Sequence, residues 1–217
     1  MSNSVMTRKI QKARALANPL KGLGPYMEIE LSNNETHDDD SGLELPSAVL
    51  EVKYRKSPLP RETLKGCMAL FTSNMAEMYK ASNWGLDLEK KMEELDHEHA
   101  RFLLVKAGED FVGFLHFRFD VNDDEVPTEE VLYVHEIQIA QNYTGRGIGR
   151  RLMAIMEVVA MRTDMKKVML TVFSANAAAY RFYTVRMNYV IDPISPSQNG
   201  VKADYEILSK KDLMKAA

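Results

Sequence analysis

The sequence predicts a mixed α/β domain, antiparallel strands first and a strand–helix–strand crossover later, and three observations carry that expectation. Leu50, Val52 and Tyr54 alternate with charged residues, and the apolar runs 102–106 and 111–119 flank Gly108-Glu109-Asp110, which together read as a strand followed by a β-hairpin. Residues 131–139 form an apolar stretch rich in β-branched side chains, long enough for a central strand. After it come Gly145, Gly147 and Gly149, then Leu152, Ile155, Met156 and Val159 at helical spacing, then a strand-like run at 168–173. At 217 residues the chain accommodates one sizeable domain with an extension rather than two full domains.

The remaining elements follow in chain order. Residues 1–21 carry Arg8, Lys9, Lys12, Arg14 and Lys21 without an acid, while Met6, Ile10, Ala13, Ala17 and Leu20 fall three or four apart, the pattern of a basic amphipathic helix. Two uses suit it: a strap held to the domain by its apolar stripe, or an import or transit signal. Residues 21–47, with Gly22, Gly24, Pro25, Asn33, Asn34, Asp38-Asp39-Asp40, Gly42 and Pro46, read as a long loop. Leu64, Met68, Phe71, Met75 and Met78 predict a helix over 60–82, and a charge-rich helix is expected over 87–97. Residues 176–187 read as a last helix, with 189–192 and 204–208 as closing strands. The chain thus divides into an extension over 1–47, a domain over 48–210 and a tail over 211–217.

Composition narrows the function. With 45% apolar and 27% charged residues, the chain suits a folded globular protein. Its 28 Lys and Arg against 31 Asp and Glu lack the basic excess that direct nucleic-acid binders use against phosphates. The lone Cys67 excludes an intramolecular disulfide and a multi-cysteine zinc site, and suits the reducing nucleus or cytoplasm. No apolar run approaches the ~18 residues of a membrane span, and the N-terminus lacks a secretory apolar core. A monomer without membrane or direct nucleic-acid contacts is expected.

A glycine turn between strand and helix lets backbone N–H groups converge on an anion at the positive end of the helix. The spacing of Gly145, Gly147 and Gly149 does not fit G-x-G-x-x-G, and Arg150-Arg151 stands where a P-loop needs Lys and then Ser or Thr. A tight turn explains the glycines alone; Arg146, Arg150 and Arg151 around it point further, to a phosphate cradle.

Gly145-Arg146-Gly147-Ile148-Gly149, after a strand and before an apolar-striped helix, resembles the pyrophosphate loop of the GCN5-related N-acetyltransferase superfamily, R/Q-x-x-G-x-G/A. Asn176, Ala179 and Phe182-Tyr183 resemble its later coenzyme-A motif. One departure is Thr144 in place of Arg or Gln. The blocks Ser82-Asn83-Trp84-Gly85, Phe117-Arg118-Phe119-Asp120, 130–136, 166–173, Ser195-Pro196-Ser197 and 204–208 resemble the N-alpha-acetyltransferase D family, whose members acetylate the N-terminal amines of histone 4 and histone 2A. That resemblance runs from about residue 60 to 210 and implies a central, mostly antiparallel sheet with splayed middle strands, flanked by helices. It implies acetyl-CoA as co-substrate, no metal, and the N-terminal tails of histone 4 and histone 2A as partners. The family carries tyrosine where this chain has His135.

Acetyl transfer to an α-amine needs a neutral amine, and with an ordinary amine pKa of about 7.7 to 8.0 a modest general base suffices. Glu136 qualifies, directly or through a water, and so does His135 if its pKa stays ordinary. In an ideal strand these neighbours face opposite sides, so only one lines the site unless a bulge intervenes. The resemblance implies such an interruption, with backbone groups of Ile137, Gln138 and Ile139 on the pantetheine and Thr144 to Arg150 (Thr144, Gly145, Arg146, Gly147, Ile148, Gly149, Arg150) on the pyrophosphate. Tyr183 is either the proton donor to the thiolate or a core aromatic beside Phe182. Asn176 is either a pantetheine contact or a helix N-cap. By family position Tyr79, Trp84, Tyr133, His135, Thr171 and Tyr205 ring the first residues of the peptide.

Asp120, Asp123, Asp124, Glu125, Glu129 and Glu130 fall within eleven residues free of Lys and Arg. Such a run is commonly a solvated face; beside an active site it would attract a basic peptide beginning Ser-Gly-Arg-Gly, with Asp120 the expected partner of the third residue. Two alternatives stand beside the leading function: a lysine or small-amine acetyltransferase, and a non-catalytic module binding acyl-CoA or histone tails.

Overall fold

The computed structural model describes residues 3–24, 27–31, 48–122 and 128–213. One sheet of eight strands organises the chain: β1 (Glu28–Leu31), β2 (Ala48–Lys56), β3 (Arg101–Ala107), β4 (Asp110–Asn122), β5 (Glu129–Ile139), β6 (Lys167–Phe173), β7 (Val190–Ile191) and β8 (Tyr205–Lys210). Their spatial order is β1-β2-β3-β4-β5-β6-β8-β7, with every pair antiparallel except β5 and β6. The parallel pair is joined by α4 (Ile148–Arg162), the crossover that a parallel neighbour requires. The other helices are α1 (Asn3–Ala15), α2 (Arg61–Ala81), α3 (Leu88–Leu95) and α5 (Ala177–Arg181).

Strand alternation sorts the core into two layers. Leu103, Val105, Leu115 and Phe117 pack with Ile10 and Ala13 of α1 and Leu152, Ile155 and Met156 of α4. Phe102, Leu104 and Phe114 face the other way, against Cys67 of α2 and Leu95 of α3. The candidate site lies on this α2–α3 face.

Two N-terminal expectations are corrected. The first helix ends at Ala15 rather than near residue 21, because Pro19 cannot continue it and disfavours helical geometry at Asn18. Asn18 instead accepts a hydrogen bond from the Leu20 N–H at 2.8 Å, and Ala17 is exposed while Leu20 and Leu23 are buried in turns. Within the stretch read as one long loop, Glu28–Leu31 forms β1 and pairs with β2 from Glu28↔Glu51 to Leu31↔Ala48. The extension therefore adds a strand to the sheet of the domain. Asn33, Asn34, Asp38 to Asp40, Gly42, Pro46 and Asp123 to Glu125 lie outside the described residues.

The last helix also departs from the expectation of one regular element: after Arg181 it widens into a π turn over Phe182–Arg186. In β5 the pairing runs Glu136↔His116 and then Val134↔Phe117, so His135 is the extra residue of a β-bulge. The bulge reverses side-chain parity. Leu132 and Val134 before it, and Ile137 and Ile139 after it, all pack on the α1–α4 core. His135 and Glu136 consequently both turn to the α2–α3 face.

Candidate active site

The phosphate end is built on consecutive residues. A 3-10 turn over Gln141–Tyr143 is closed by Thr144, whose hydroxyl donates to the Gln141 carbonyl at 2.8 Å. Thr144 thus spends its side chain on the turn. Gly145 and Gly147 take φ of 75° and 77°, and Gly147 is the N-cap of α4. The first N–H groups of α4 have no intrahelical acceptors, so this left-handed entry leaves them available to an anion. Ile148 is buried in the core and contributes its backbone alone, and a Cβ on Gly149 would stand 3.6 Å from Phe182 Cζ. Arg150 is exposed and Arg151 half-buried, but Arg146 is buried with its guanidinium 6.0 Å from the Tyr143 ring centroid. Of the three arginines expected around the loop, Arg146 is therefore a wall rather than an open arm. Small residues, a helix N-terminus and exposed cationic charge together fit the diphosphate of acetyl-CoA.

The middle strands part beyond this loop. Pairing between β5 and β6 covers Val131↔Lys167 to Val134↔Leu170, although β5 continues to Ile139 and β6 to Phe173. Gly113, opposite Ile139, keeps β4 close: a Cβ there would lie 2.6 Å from the Gln138 carbonyl oxygen. On the parted side, Asn74 of α2 donates to the Ile139 carbonyl at 3.0 Å and to Gln138 Oε1 at 2.8 Å. One of the acceptors expected for pantetheine is thus held by the protein. Asn176 accepts from the Ala179 N–H at 3.1 Å as the N-cap of α5, which leaves its amide NH₂ for a ligand.

Glu136 is 8% exposed, with both carboxylate oxygens engaged. Gln138 donates to Oε1 at 2.6 Å and Lys91 of α3 to Oε2 at 3.2 Å; the Lys91 ammonium also donates to Glu94 at 3.0 Å and lies over the rings of Phe71 and Tyr79. Burial raises the Glu136 carboxyl above the ordinary range, with Lys91 and Gln138 opposing it in part. Burial would lower the Lys91 ammonium, but Glu136 and Glu94 more than reverse it, so it stays charged. Tyr183, in the π turn, is buried and its phenol is raised by burial and by Glu136. It stays protonated at neutral pH, and its ring packs in the α1–α4 core beside Phe182 at 5.0 Å and Tyr189 at 6.0 Å.

His135 sits in a column of rings running from β3 to β5. Phe102 stacks on His116 at 5.0 Å, His116 on His135 at 4.9 Å, and His135 meets Tyr133 at 4.9 Å. Tyr133 in turn hydrogen-bonds Thr171. His135 Nε2 is buried without a hydrogen-bond partner among the described residues. Burial, then Arg118, Lys91 and His97, lower the imidazole to about 3. The condition for a histidine base, an ordinary pKa, is therefore not met.

The aromatic residues converge at the α2 end of the site. Tyr79 contacts Phe173 at 5.0 Å and Trp84 at 6.1 Å, and Trp84 contacts Phe173 at 5.0 Å and Tyr205 at 5.1 Å. Trp84 is 50% exposed, which makes it the rim. Asp120 stands apart. It pairs with Val131, whereas Glu136 pairs with His116, so it lies four residues further along β4 and across the bulge. Its carboxylate is 3.4 Å from Arg14 of α1, which also donates to the Phe119 carbonyl at 2.9 Å. Glu130 is 3.7 Å from Lys9, and Glu129 3.5 Å from Lys167 and 3.1 Å from Lys211. The described part of the acidic run is thus already engaged by cations of the chain.

Sequence reasoning missed Lys91, Asn74 and Phe173. For Lys91 a signal existed: it stands four residues before Leu95, on the stripe that α3 buries. Phe173 was assigned only to a strand end, and its hub position depends on contacts from α2, the turn after it and β8.

Residues 67–189 match the acetyltransferase (GNAT) family. Among solved structures, the chain is similar to NAA60 of Arabidopsis thaliana in complex with a bisubstrate analogue, at 16% identity and a TM-score of 0.53 over 73% of this chain and 97% of that one. It is similar to the PaiA N-acetyltransferase of Thermoplasma acidophilum in complex with coenzyme A, at 16% identity and a TM-score of 0.52 over 74% and 99%. A chain of the NatC complex bound to Gag peptide and CoA gives 15% identity and a TM-score of 0.53 over 74% and 98%. At these identities the likenesses are of fold.

Proposed function

Because the chain belongs to the acetyltransferase (GNAT) family and is an acetyl-CoA-dependent acetyltransferase, we propose that its acceptor is the N-terminal α-amine of histone 4 and histone 2A, in the nucleus and cytoplasm. Acetyl-CoA supplies the acetyl group as a thioester, with the loop from Thr144 to Arg150 and the parted edge of β5 to hold it. Each oxygen of Glu136 keeps a lone pair beside its hydrogen bond to Lys91 or Gln138, so the carboxylate can take the amine proton directly or through a water. His135, neutral and stacked, orients the amine side of the site. Tyr183 returns a proton to the departing thiolate.

The observation carrying this reading is the joint at Tyr79. Its ring belongs to the aromatic group with Trp84 and Phe173, and it lies 5.5 Å from the Lys91 ammonium that holds Glu136. A base beside an aromatic enclosure suits a chain terminus with a small second residue. One observation favours a lysine or small-amine substrate instead: Asp120, expected to select a basic third residue, is paired with Arg14. Comparing kcat/KM for Ser-Gly-Arg-Gly and Ser-Leu-Ala-Gly peptides separates the two. The histone reading expects a strong preference for the first; equal turnover returns the acceptor to the broader class.

A further inference from the structure

The only lysine among the described residues that touches the candidate base comes from the charge-rich helix α3. Lys91 is nevertheless buried, and four groups from three elements hold its ammonium: Glu136 of β5 at 3.2 Å, Glu94 of α3 at 3.0 Å, and the Phe71 and Tyr79 rings of α2 at 4.8 and 5.5 Å from their centroids. A buried ammonium loses its hydration and has to be paired, and Glu136 and Glu94 pair it here. Glu94 is shared, since its Oε1 also lies 3.8 Å from His116 Nδ1.

From this geometry we infer that Lys91, with Glu94 as counterweight, is a positioning residue that keeps the Glu136 carboxylate ionised and directed at the amine, acting through Glu136 without touching substrate. The inference rests on Glu136 being the base of the proposed reaction. The groups facing Glu136 are Tyr79 of α2, Lys91 and Glu94 of α3, His116 of β4, His135 and Gln138 of β5, and Tyr183 of the π turn. His116 and His135 are held neutral by burial, and the Tyr79 and Tyr183 phenols are raised by it. At neutral pH that leaves Lys91 as the cation and Glu94 as the second anion in the immediate field of Glu136. Removing Lys91 should therefore make Glu136 harder to ionise, and removing Glu94 should make it easier.

The test is the pH profile of kcat at saturating acetyl-CoA and peptide, which reads groups of the bound complex. Lys91→Met is expected to move the acid limb up by about 1 to 3 pH units, the effect of losing an opposite charge at this range. Lys91→Arg is expected to restore most of it, and Glu94→Gln to move the limb down, with acetyl-CoA affinity unchanged in all three. Packing alone gives no reason for limbs moving in opposite directions. Glu136→Gln, run alongside, separates the two levels: loss of the limb confirms the base. A limb lost in Glu136→Gln but unmoved in folded Lys91→Met overturns the role of Lys91 alone; a limb retained in Glu136→Gln overturns both. If Lys91→Met does not fold, Glu94→Gln decides, at a side chain 31% exposed: an unmoved or raised limb overturns the inference.

Discussion

The two ends of the cleft are built on opposite principles. The proposed phosphate end is a backbone site on consecutive residues from Thr144 to Arg150, made by two left-handed glycines and the start of one helix. The amine end is a side-chain site gathered from α2, α3, β5, β6 and β8, with a bulge turning two neighbours to one face. A backbone site depends on conformation, and a gathered site on charge and packing. Mutations at the two ends should accordingly fail in different currencies, cofactor affinity at one and turnover at the other.

The largest expected effect is at the amine end. Glu136→Gln keeps the size of the side chain and removes its charge, so kcat should fall by about 10²-fold, the usual contribution of a general base. Acetyl-CoA affinity measured by calorimetry should not change. A parallel loss of affinity would break the separation between the two ends.

At the phosphate end the comparison sharpens within three residues. Gly147 has φ of 77°, a conformation costing other residues about 1 to 2 kcal/mol, so Gly147→Ala should weaken acetyl-CoA binding by about five- to thirty-fold. A Cβ on Gly149 would make only an ordinary contact with Phe182 at 3.6 Å, so Gly149→Ala should change affinity by about two-fold or less. Gly147→Val and Gly149→Val should both bind more weakly than their alanine counterparts. Equal affinities for the two alanine variants would mean that backbone conformation does not control the cradle.

The ring column predicts a pH dependence of stability rather than of catalysis. His135 is lowered to about 3 and His116 also lies well below the ordinary 6.5, so the unfolded chain binds more protons than the folded one between those limits. Stability should rise with pH through that window and be lost as pH falls through it, at about 1.4 kcal/mol per pH unit for each fully titrating histidine. Thermal melts should show a smaller drop from pH 7 to pH 5 for His135→Phe than for the unmodified protein. An unchanged drop would mean that His135 is not the buried neutral group described.

A small effect on peptide turnover is expected where α1 meets the acidic run. Asp120 is 45% exposed and paired with Arg14, and exposed pairs are worth about 0.2 to 1 kcal/mol. Asp120→Ala should lower kcat/KM for a Ser-Gly-Arg-Gly peptide by about five-fold or less. Arg14→Ala should raise it by a similar factor, because it frees the carboxylate. If neither variant changes peptide turnover, Asp120 serves α1 and not the substrate.

This division also explains what could be read in advance. The loop from Gly145 to Gly149 was legible because its residues are adjacent and their type states the backbone they need. Strand β2 was legible from period-two alternation, β3 and β4 from apolar runs flanking Gly108-Glu109-Asp110, β5 and β6 from apolar runs, and the crossover from the helical stripe of α4. The end of α1 was overrun because the apolar spacing through Leu20 continued past Pro19, and β1 was missed because four residues, Glu28–Leu31, are too few for a pattern. The bulge was expected from family resemblance alone: no residue type in Val134-His135-Glu136 announces it, and the register with His116 and Phe117 creates it. The place of Lys91 on the buried stripe of α3 was legible, but its partner and that of Asn74 were not, since they lie 45 and 64 residues away.

The most direct test of the account is mass spectrometry of one peptide in two forms, a Ser-Gly-Arg-Gly-Lys sequence with a free amine and the same sequence already acetylated at its N-terminus. With acetyl-CoA and the unmodified enzyme, the account predicts one acetyl group added to the free form, located on the N-terminal serine, no addition to the blocked form, and a reaction about 10²-fold slower in Glu136→Gln. Acetylation of the lysine in the blocked form at a comparable rate would contradict it and make the side-chain amine the substrate.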